Sequence, residues 1–498
     1  MRASLSAAAG LLLLARGSAA IDVDLSDSQS IIDAAKTIAA GVMALYPGEE
    51  EGGIPGLLSE PYYFWEAGLL WDNMVRYSAL TGDESYDDVI QRALLFQKAE
   101  TDDYMPANQS KSLGNDDQSY WALAAMTAQE YGFALPEDSG VDSWFELAKN
   151  VFDEQVLRWD TKTCDGGLRW QIYSFNNGYD YKNSISQGNL MQLAARLYAY
   201  NGNETYREWW TEVRDWSSKA GLYDNSTGRV FDGTSTDDCE NLNHLQWTAN
   251  VGTYLASYAY MVNAVSSQPS HIRTPTRKLL PRPYILTMSS QTNGDQDAAP
   301  ISTLWSGSKV FTEDDVLQEV ACESGDTCNV DQRAFKGVLA TALANVRDLA
   351  AGSNDTLSSG ITDVLEASAK AAAASCSGRS KGGDVQCGLA WTSDEFDDNT
   401  GVGQHLNALS VMLALLPSKA LASSDSPSNS TSTSGSSNGT SSSGGSSSEG
   451  SSGSSGADGS SGEEAGAPAQ QGANGAENTA ASMFGLLGAI GFAVAFYL

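Results

Sequence analysis

Residues 190–220 read LMQLAARLYAY, then NGN, then ETYREWWTEVRDWSSKA. Leu190, Leu193, Ala194, Leu197 and Tyr198 fall three and four apart, the spacing of one helix face. The run stops at Asn201-Gly202-Asn203, residues that accept the left-handed backbone at a helix end, and a second amphipathic stretch, Thr205–Ala220, starts at once. Two helices joined this tightly form an antiparallel hairpin. The theme recurs in Ile31–Tyr46, Tyr63–Leu80 (stopped by Thr81-Gly82-Asp83), Asp117–Tyr131, Ser143–Trp159, Leu245–Val265, Asp331–Ala350, Leu357–Ala374 and Val402–Leu416. Alternating strand-like runs are scarce, so the expected class is all-α. That many amphipathic helices leave faces uncovered in a plain bundle. A ring of helical hairpins closed into an α/α toroid covers them, and a superhelical array is the rival. No strict 33- or 34-residue repeat is visible, which favours the toroid, with its site at one end on the loops between outer and inner helices.

The chain has 498 residues, 41% of them hydrophobic, enough for a sizeable core. It carries 29 Lys and Arg against 62 Asp and Glu, a net charge of −33, so a nucleic-acid partner, which needs a basic patch, is not expected. His244, His271 and His405 lie far apart and no HExxH or CxxC occurs, so no metal is expected. Walker A, GxSxG and Rossmann glycine patterns are missing from the folded part, and no cofactor is expected. Carboxylate chemistry survives.

Residues 1–20 read as a secretory signal peptide: Arg2, an apolar run over Ala7–Ala15, and the small residues Ser18-Ala19-Ala20 before cleavage. Residues 21–421 are the expected folded domain. Residues 422–474 form a Ser/Gly-rich stalk that cannot bury a core. No Lys or Arg follows Ala420. Asn474-Gly475-Ala476, a short polar spacer and the apolar Met483–Leu498 have the order of a GPI-attachment signal, with residues 475–498 the propeptide. Asn474 is the expected attachment residue, Gly472 an alternative. A secreted protein held by a GPI lipid at the outer face of the plasma membrane or in the wall is therefore expected. Six sequons, at Asn108, Asn203, Asn225, Asn354, Asn429 and Asn438, fit that route. Six cysteines in an oxidising compartment imply disulfides. Cys322–Cys328 and Cys376–Cys387 are near enough for local loops, leaving Cys164 and Cys239; this is the most economical of about fifteen connectivities, and the others stay open.

Asp-Asp occurs at 87, 102, 116, 237, 314 and 397, so the dipeptide alone says little, and most copies read as solvated turns. The third differs. Gly114-Asn115-Asp116-Asp117-Gln118-Ser119-Tyr120-Trp121 contains no cation and runs straight into an apolar helix. A structural reading makes Asn115 an N-cap with Gln118 reaching back, the aspartates favouring the helix dipole. A functional reading makes the pair a glycosidase couple, one carboxyl protonating the leaving oxygen while the other attacks or activates water. Adjacent carboxyls raise one of the two pKa values, and their spacing, about 5–6 Å, is nearer the retaining than the inverting geometry. Tyr62-Tyr63-Phe64-Trp65-Glu66, Leu168-Arg169-Trp170-Gln171 and Tyr179-Asp180-Tyr181-Lys182-Asn183 mix flat rings with hydrogen-bonding groups, which is what sugars need. Phe64 and Trp71, at helical spacing, read as core.

These residues carry a resemblance. Pro61-Tyr-Tyr-Phe-Trp-Glu-Ala-Gly68, Gly114-Asn-Asp-Asp-Gln118, Gly167-Leu-Arg-Trp-Gln171, Tyr179-Asp-Tyr-Lys-Asn-Ser-Ile-Ser186, Val230-Phe-Asp-Gly233 and Trp247-Thr-Ala-Asn-Val-Gly252 resemble glycoside hydrolase family 76. The resemblance covers most of residues 30–265 and resumes at Glu319–Glu323, Cys328–Gly337 and Gly401–Gln404. It is strongest to the branch of fungal GPI-anchored cell-wall proteins similar to endo-α-1,6-mannanases. It implies an (α/α)6 barrel and a retaining mechanism, with Asp116 as nucleophile and Asp117 as acid/base. Trp65, Glu66, Arg169, Trp170, Asn183, Asp232 and Asn250 are the expected substrate-binding residues. The implied substrate is α-1,6-mannan or the mannose-containing GPI glycan of mannoproteins, with wall β-glucan as an acceptor and a monomer as the working unit. A mannan-binding wall protein without turnover would lack one of the two acids, and a purely structural mannoprotein would not need the aromatic motifs. Residues 267–310, with Pro269, Pro275, Pro281 and Pro283, are expected to lack the helix that the resemblance places there.

Overall fold

The computed structural model describes residues 20–267 and 294–417, apart from 353 and 394. The expected signal peptide, stalk and GPI signal, with Asn429, Asn438 and Asn474, lie outside the described residues.

The 190–220 stretch folds as its spacing predicts. Helix α6 (Ser184–Asn201) begins at Asn183, whose side chain accepts from Ser186 N, and ends at Gly202, whose φ of 68° is open to glycine at little cost. Asn203 then caps α7 (Glu204–Lys219), its side chain accepting from Thr205 N at 3.1 Å. The three residues Asn-Gly-Asn thus end one helix and start the next. Gly82 and Gly132 close α2 (Phe64–Thr81) and α4 (Asn115–Tyr131) in the same way.

Twelve α-helices occur among the described residues: these four with α1 (Ser28–Met43), α3 (Asp87–Phe96), α5 (Trp144–Leu157), α8 (Thr248–Ser267), α9 (Gly294–Ser308), α10 (Phe335–Asn345), α11 (Asp355–Ser375) and α12 (Val402–Leu413). The even-numbered helices pack in succession, α2 on α4, α6, α8, α10 and α12, and α12 packs back on α2. Each odd helix packs on an even neighbour: α1 on α12, α3 on α2, α5 on α4, α7 on α6, α9 on α8 and α11 on α12 and α10. Two concentric sets of six result, the (α/α)6 arrangement. Burial agrees. In α4 every residue from Asn115 to Ala128 is buried, as a helix enclosed on all sides requires, whereas α7 buries only Tyr206, Trp210, Val213, Trp216 and Ser217, a single stripe.

Two helices escaped the sequence reading. Helix α3 has ten residues, and its Asp87-Asp88 pair sits in the first helical turn, where the dipole favours acids, rather than in a solvated turn. At 314 and 397 the solvated-turn reading holds, with Asp314, Asp315 and Asp398 at positive φ; at 102 the chain also turns, but Asp103 is buried. Helix α9 corrects the expectation that residues 267–310 lack a helix: the run from Gly294 to Ser308 is helical and packs on α8. Pro300 within it and the prolines before it masked the signal. The expected Asp331–Ala350 helix also starts later, at Phe335 after a tight 3-10 turn, leaving Asp331 in the preceding loop.

Short strands stitch the loops at one end: β1 (Tyr181–Asn183), β2 (Tyr223–Asp224), β3 (Arg229–Val230), β4 (Gly233–Ser235) and β5 (Leu242–Asn243). Strands β1, β4 and β5 form an antiparallel sheet in that order, Asn183 opposite Gly233 and Gly233 opposite Asn243. Three disulfides, Cys164–Cys239, Cys322–Cys328 and Cys376–Cys387, close the long connections from odd to even helices and settle the pairing. Asn108, Asn203, Asn225 and Asn354 are exposed, and Asn203 and Asn354 cap helices with their side-chain oxygens. Among the described residues no helix is long and apolar enough to cross a membrane.

Candidate active site

The long odd-to-even loops bring the N-terminal ends of the inner helices together. Trp65 N, in the first turn of α2, donates to Asp117 at the start of α4. Asn183, the cap of α6, donates to Asp116. Val402 N of α12 donates to Tyr62 OH just ahead of α2, and Trp65 Nε1 donates to Asp331 just ahead of α10. Each helix N-terminus carries roughly half a positive charge, so this end of the barrel suits acidic groups.

At its centre is the start of α4. The cap is Gly114, not Asn115, and the residue that reaches back is Asp117, not Gln118: Gly114 N donates to Asp117 Oδ2 at 2.8 Å. Gly114 is itself held by bridge pairing to Gln171, and Asn115 N donates to Trp170 O at 2.8 Å. A Cβ at Gly114 would stand 2.2 Å from Asp116 Oδ1 and 2.8 Å from Asp117 Oδ2, so only glycine lets both carboxyls close over it. Flanking one point, those two oxygens are at most roughly 5 Å apart, short of the roughly 6.5–9.5 Å that separates inverting pairs. Asp116 Oδ2 accepts from Asn183 Nδ2 at 2.9 Å and its Oδ1 from Asp117 N at 3.0 Å. Asp117 Oδ1 accepts from Trp65 N at 3.2 Å.

Both acids are almost wholly buried, 8% and 6% exposed. Burial pushes Asp116 up to about 7, against the pull of its Asn183 and backbone hydrogen bonds. Asp117 is raised well above the ordinary carboxyl value by burial and then by the Asp116 charge, although two backbone N–H groups favour its ionised form. Glu66 is pushed up to about 9 by burial and by Asp331 and Asp117. Asp331 is raised by burial. Among the described residues none of these four acids is in an ion pair, and no three His, Cys, Asp or Glu side chains are grouped to hold a metal ion.

An arc of rings borders the pair. Trp65 lies 5.0 Å from Tyr120 and 5.8 Å from Phe335, and Phe335 lies 5.9 Å from Trp247. Trp247 Nε1 ends on Asp232 Oδ1 at 2.8 Å, whose other oxygen accepts from Tyr181 OH at 2.6 Å and Asn243 Nδ2 at 3.0 Å. Asp232 O takes Ser184 N at 2.8 Å, placing Asp232 beside Asn183. Asn250 is buried in the first turn of α8 with Nδ2 unpartnered. Trp170 is 38% exposed, its ring against Gly178.

Of the expected site residues, Trp65, Asp116, Asp117 and Asn183 are joined by hydrogen bonds, and Glu66 follows Trp65 in the first turn of α2. Asp232 joins the arc through Trp247, and Asn250 lies in the first turn of α8. Glu66 is inaccessible; its Oε2 caps α2 by accepting from Tyr63 N at 2.6 Å and its Oε1 has no partner. Arg169 is engaged in the loop: it pairs with Asp160 at 2.8 Å, donates to Tyr179 O at 2.7 Å and lies over the Tyr179 ring. Tyr120, Trp247, Asp331 and Phe335 belong to the arrangement and were not singled out. Trp247, Asp331 and Phe335 fall in the quoted motifs, the one signal that pointed to them.

Residues 30–281 and 285–427 match the model for Glycosyl hydrolase family 76. Mannan endo-1,6-alpha-mannosidase DCW1 of Candida glabrata is 39% identical over 395 residues, 79% of this chain and 81% of that one. Mannan endo-1,6-alpha-mannosidase DFG5 of Saccharomyces cerevisiae is 36% identical over 399 residues, 80% of each chain. Among solved structures, Dfg5 from Chaetomium thermophilum in complex with glucosamine has a TM-score of 0.69 at 33% identity, covering 79% of this chain and 91% of that one. An inactive variant of the alpha-1,6-mannanase GH76A of Salegentibacter sp. HEL1_6, in complex with alpha-1,6-mannotriose, shares the fold at 17% identity, with a TM-score of 0.59 over 77% of this chain and 98% of that one. The chain belongs to glycosyl hydrolase family 76.

Proposed function

We propose that the protein is a retaining endo-α-1,6-mannosidase or transglycosidase of the cell wall, exported, GPI-anchored through Asn474 and acting as a monomer. The observation that carries the reading is the Asp116–Asp117 pair closed over Gly114, buried and without a counter-ion. The names of the relatives, at 36–39% identity, supply the substrate class.

In this reading Asp116 is ionised and attacks the anomeric carbon of a mannose unit. Asp117, raised by burial and by the charge of Asp116, gives its proton to the departing glycosidic oxygen. A mannosyl ester on Asp116 results. Asp117, now a carboxylate, takes a proton from water or from an acceptor hydroxyl, which attacks the same carbon and frees Asp116. Two inversions give net retention. Asn183 orients Asp116, and Trp65, Trp170, Asp232 and Asn250 offer ring faces and polar groups to the sugars. The donor is α-1,6-mannan or the GPI glycan of mannoproteins; with a hydroxyl of wall β-glucan as acceptor the outcome is cross-linking.

Incubation with an α-1,6-mannooligosaccharide, with and without β-glucan, tests this directly. Shortened products that retain the α configuration are expected, with mannosylated glucan when glucan is added. Binding without any product would establish a mannan-binding protein instead. Phosphatidylinositol-specific phospholipase C should release the protein from membranes; retention with Met483–Leu498 still present would refute the lipid anchor.

A further inference from the structure

Asp331 lies ahead of the 3-10 turn Gln332–Ala334 that leads into α10. Its Oδ1 accepts from Trp65 Nε1 at 2.8 Å, across 266 residues of sequence. Trp65 passes its own backbone N–H to Asp117 Oδ1 at 3.2 Å. One residue thus joins the two carboxyls, by its ring edge on one side and its main chain on the other. The indole has little freedom to do otherwise, held between Tyr120 at 5.0 Å and Phe335 at 5.8 Å.

We propose that Asp331 is a positioning residue for the reaction of the Asp116–Asp117 pair: it fixes Trp65, and through it Asp117, and its carboxylate adds a like charge one hydrogen-bonded residue away from the pair. The proposal rests on the catalytic reading of that pair. The titratable groups around it are Glu66 from α2 and Asp116 and Asp117 from α4, all of which it pushes upward. The cation nearest in sequence, Arg333, donates to Cys328 O at 3.0 Å. Asp331 therefore opposes ionisation of an acid that has to keep its proton, at the cost of also raising the nucleophile.

Asp331→Asn and Asp331→Ala, made in the full-length enzyme, separate anchor from charge. Asn keeps an oxygen for Trp65 Nε1 and loses the charge; Ala loses both. The readout is the pH profile of kcat/KM on an α-1,6-mannotetraose, with Asp116→Asn beside it. In Asp331→Asn both limbs are expected to move to lower pH by roughly 0.5–1 unit, because removing a like charge eases ionisation of Asp116 and Asp117. Its kcat at the new optimum stays within several-fold. Asp331→Ala should show the same displacement with a further loss in kcat of about 10–100-fold, the effect of a misplaced acid, and little change in KM. Unmoved limbs in Asp331→Asn overturn the role of the charge, and full kcat in Asp331→Ala overturns the anchoring; the Asn profile decides the first alone should the Ala variant not fold. A wild type without turnover, or an active Asp116→Asn, fails the catalytic reading itself, a result distinct from either.

Discussion

Helix α4 carries acids at both ends, buried at the first and partly buried at the last, and the two ends treat them oppositely. At its C-terminal end Glu130 takes two hydrogen bonds of 2.8 Å from Arg196, and nearby Asp72 of α2 pairs with Arg76 at 2.8 Å. Thr127 ties the sets together, bonding Asp72 and both guanidinium groups. At the N-terminal end Asp116, Asp117, Glu66 and Asp331 crowd together, and among the described residues none of them is in an ion pair. The dipole accounts for part of this: acids are favoured at an N-terminus and need a partner at a C-terminus. It does not account for four acids within reach of each other. A paired buried charge fixes packing; unpaired buried acids raise one another toward the protonated form at a cost to stability, and one acid held in that form is what general acid catalysis requires.

The largest effect expected separates the ends by chemistry. Asp116→Asn and Asp117→Asn preserve volume, and activity should fall about 10²–10⁴-fold in each with the fold retained. A substrate with a good leaving group needs no proton, so it should partly rescue glycosylation in Asp117→Asn and not in Asp116→Asn. Asp237→Asn and Asp314→Asn, in surface turns, should leave turnover near wild type. Full activity in a folded Asp116→Asn variant would reduce the pair to helix capping.

At the other end the loss should be of stability alone. Arg196→Ala strands Glu130 without its counter-ion, which costs about 3–5 kcal/mol in urea unfolding, while kcat per folded molecule changes less than several-fold. Adding Glu130→Gln to Arg196→Ala should recover part of the loss, since the stranded charge goes with it. Equal stability in the single and double variants would break the contrast between the ends.

How much of this was open to a reader of the sequence follows from range. The hairpin endings are local, because Gly82, Gly132 and Gly202 each adopt a backbone that needs no distant contact. So is the acid pair, whose setting in Gly114–Trp121 is continuous. Helix α3 was lost because ten residues hold under three turns of periodicity and its acids look like turn residues. Asp331 could not be tied to Asp117 at all, for ring closure alone brings α10 to α2. Glu66 and Arg169 show a second limit: a motif reveals that a polar side chain sits among aromatics, not whether it faces the cleft or holds the wall. Glu66 turns inward to cap α2, and Arg169 is spent on Asp160 and Tyr179.

Glu66 also gives the smallest and most discriminating test. It is fully buried, and burial, Asp331 and Asp117 push it up to about 9, so it is a neutral acid across the working range. In the unfolded chain it returns to about 4.3. The folded state therefore binds a proton that the unfolded state releases between those values. The stability this proton contributes is complete below the unfolded value and is lost as pH rises through the folded one. Glu66→Gln imitates the neutral acid, keeping an oxygen for Tyr63 N, and cannot titrate. Urea unfolding at pH 5, 7 and 9 should show nearly equal stability at pH 5 and a growing advantage for Glu66→Gln toward pH 9. The variant keeps a shallower decline of its own, because Asp116 and Asp117 are raised as well. Its kcat should stay within several-fold, as Glu66 transfers no proton in the proposed reaction. Parallel stability curves would mean that Glu66 is ionised in the fold, and the acids at the mouth would then need a cation after all, as those at the other end do.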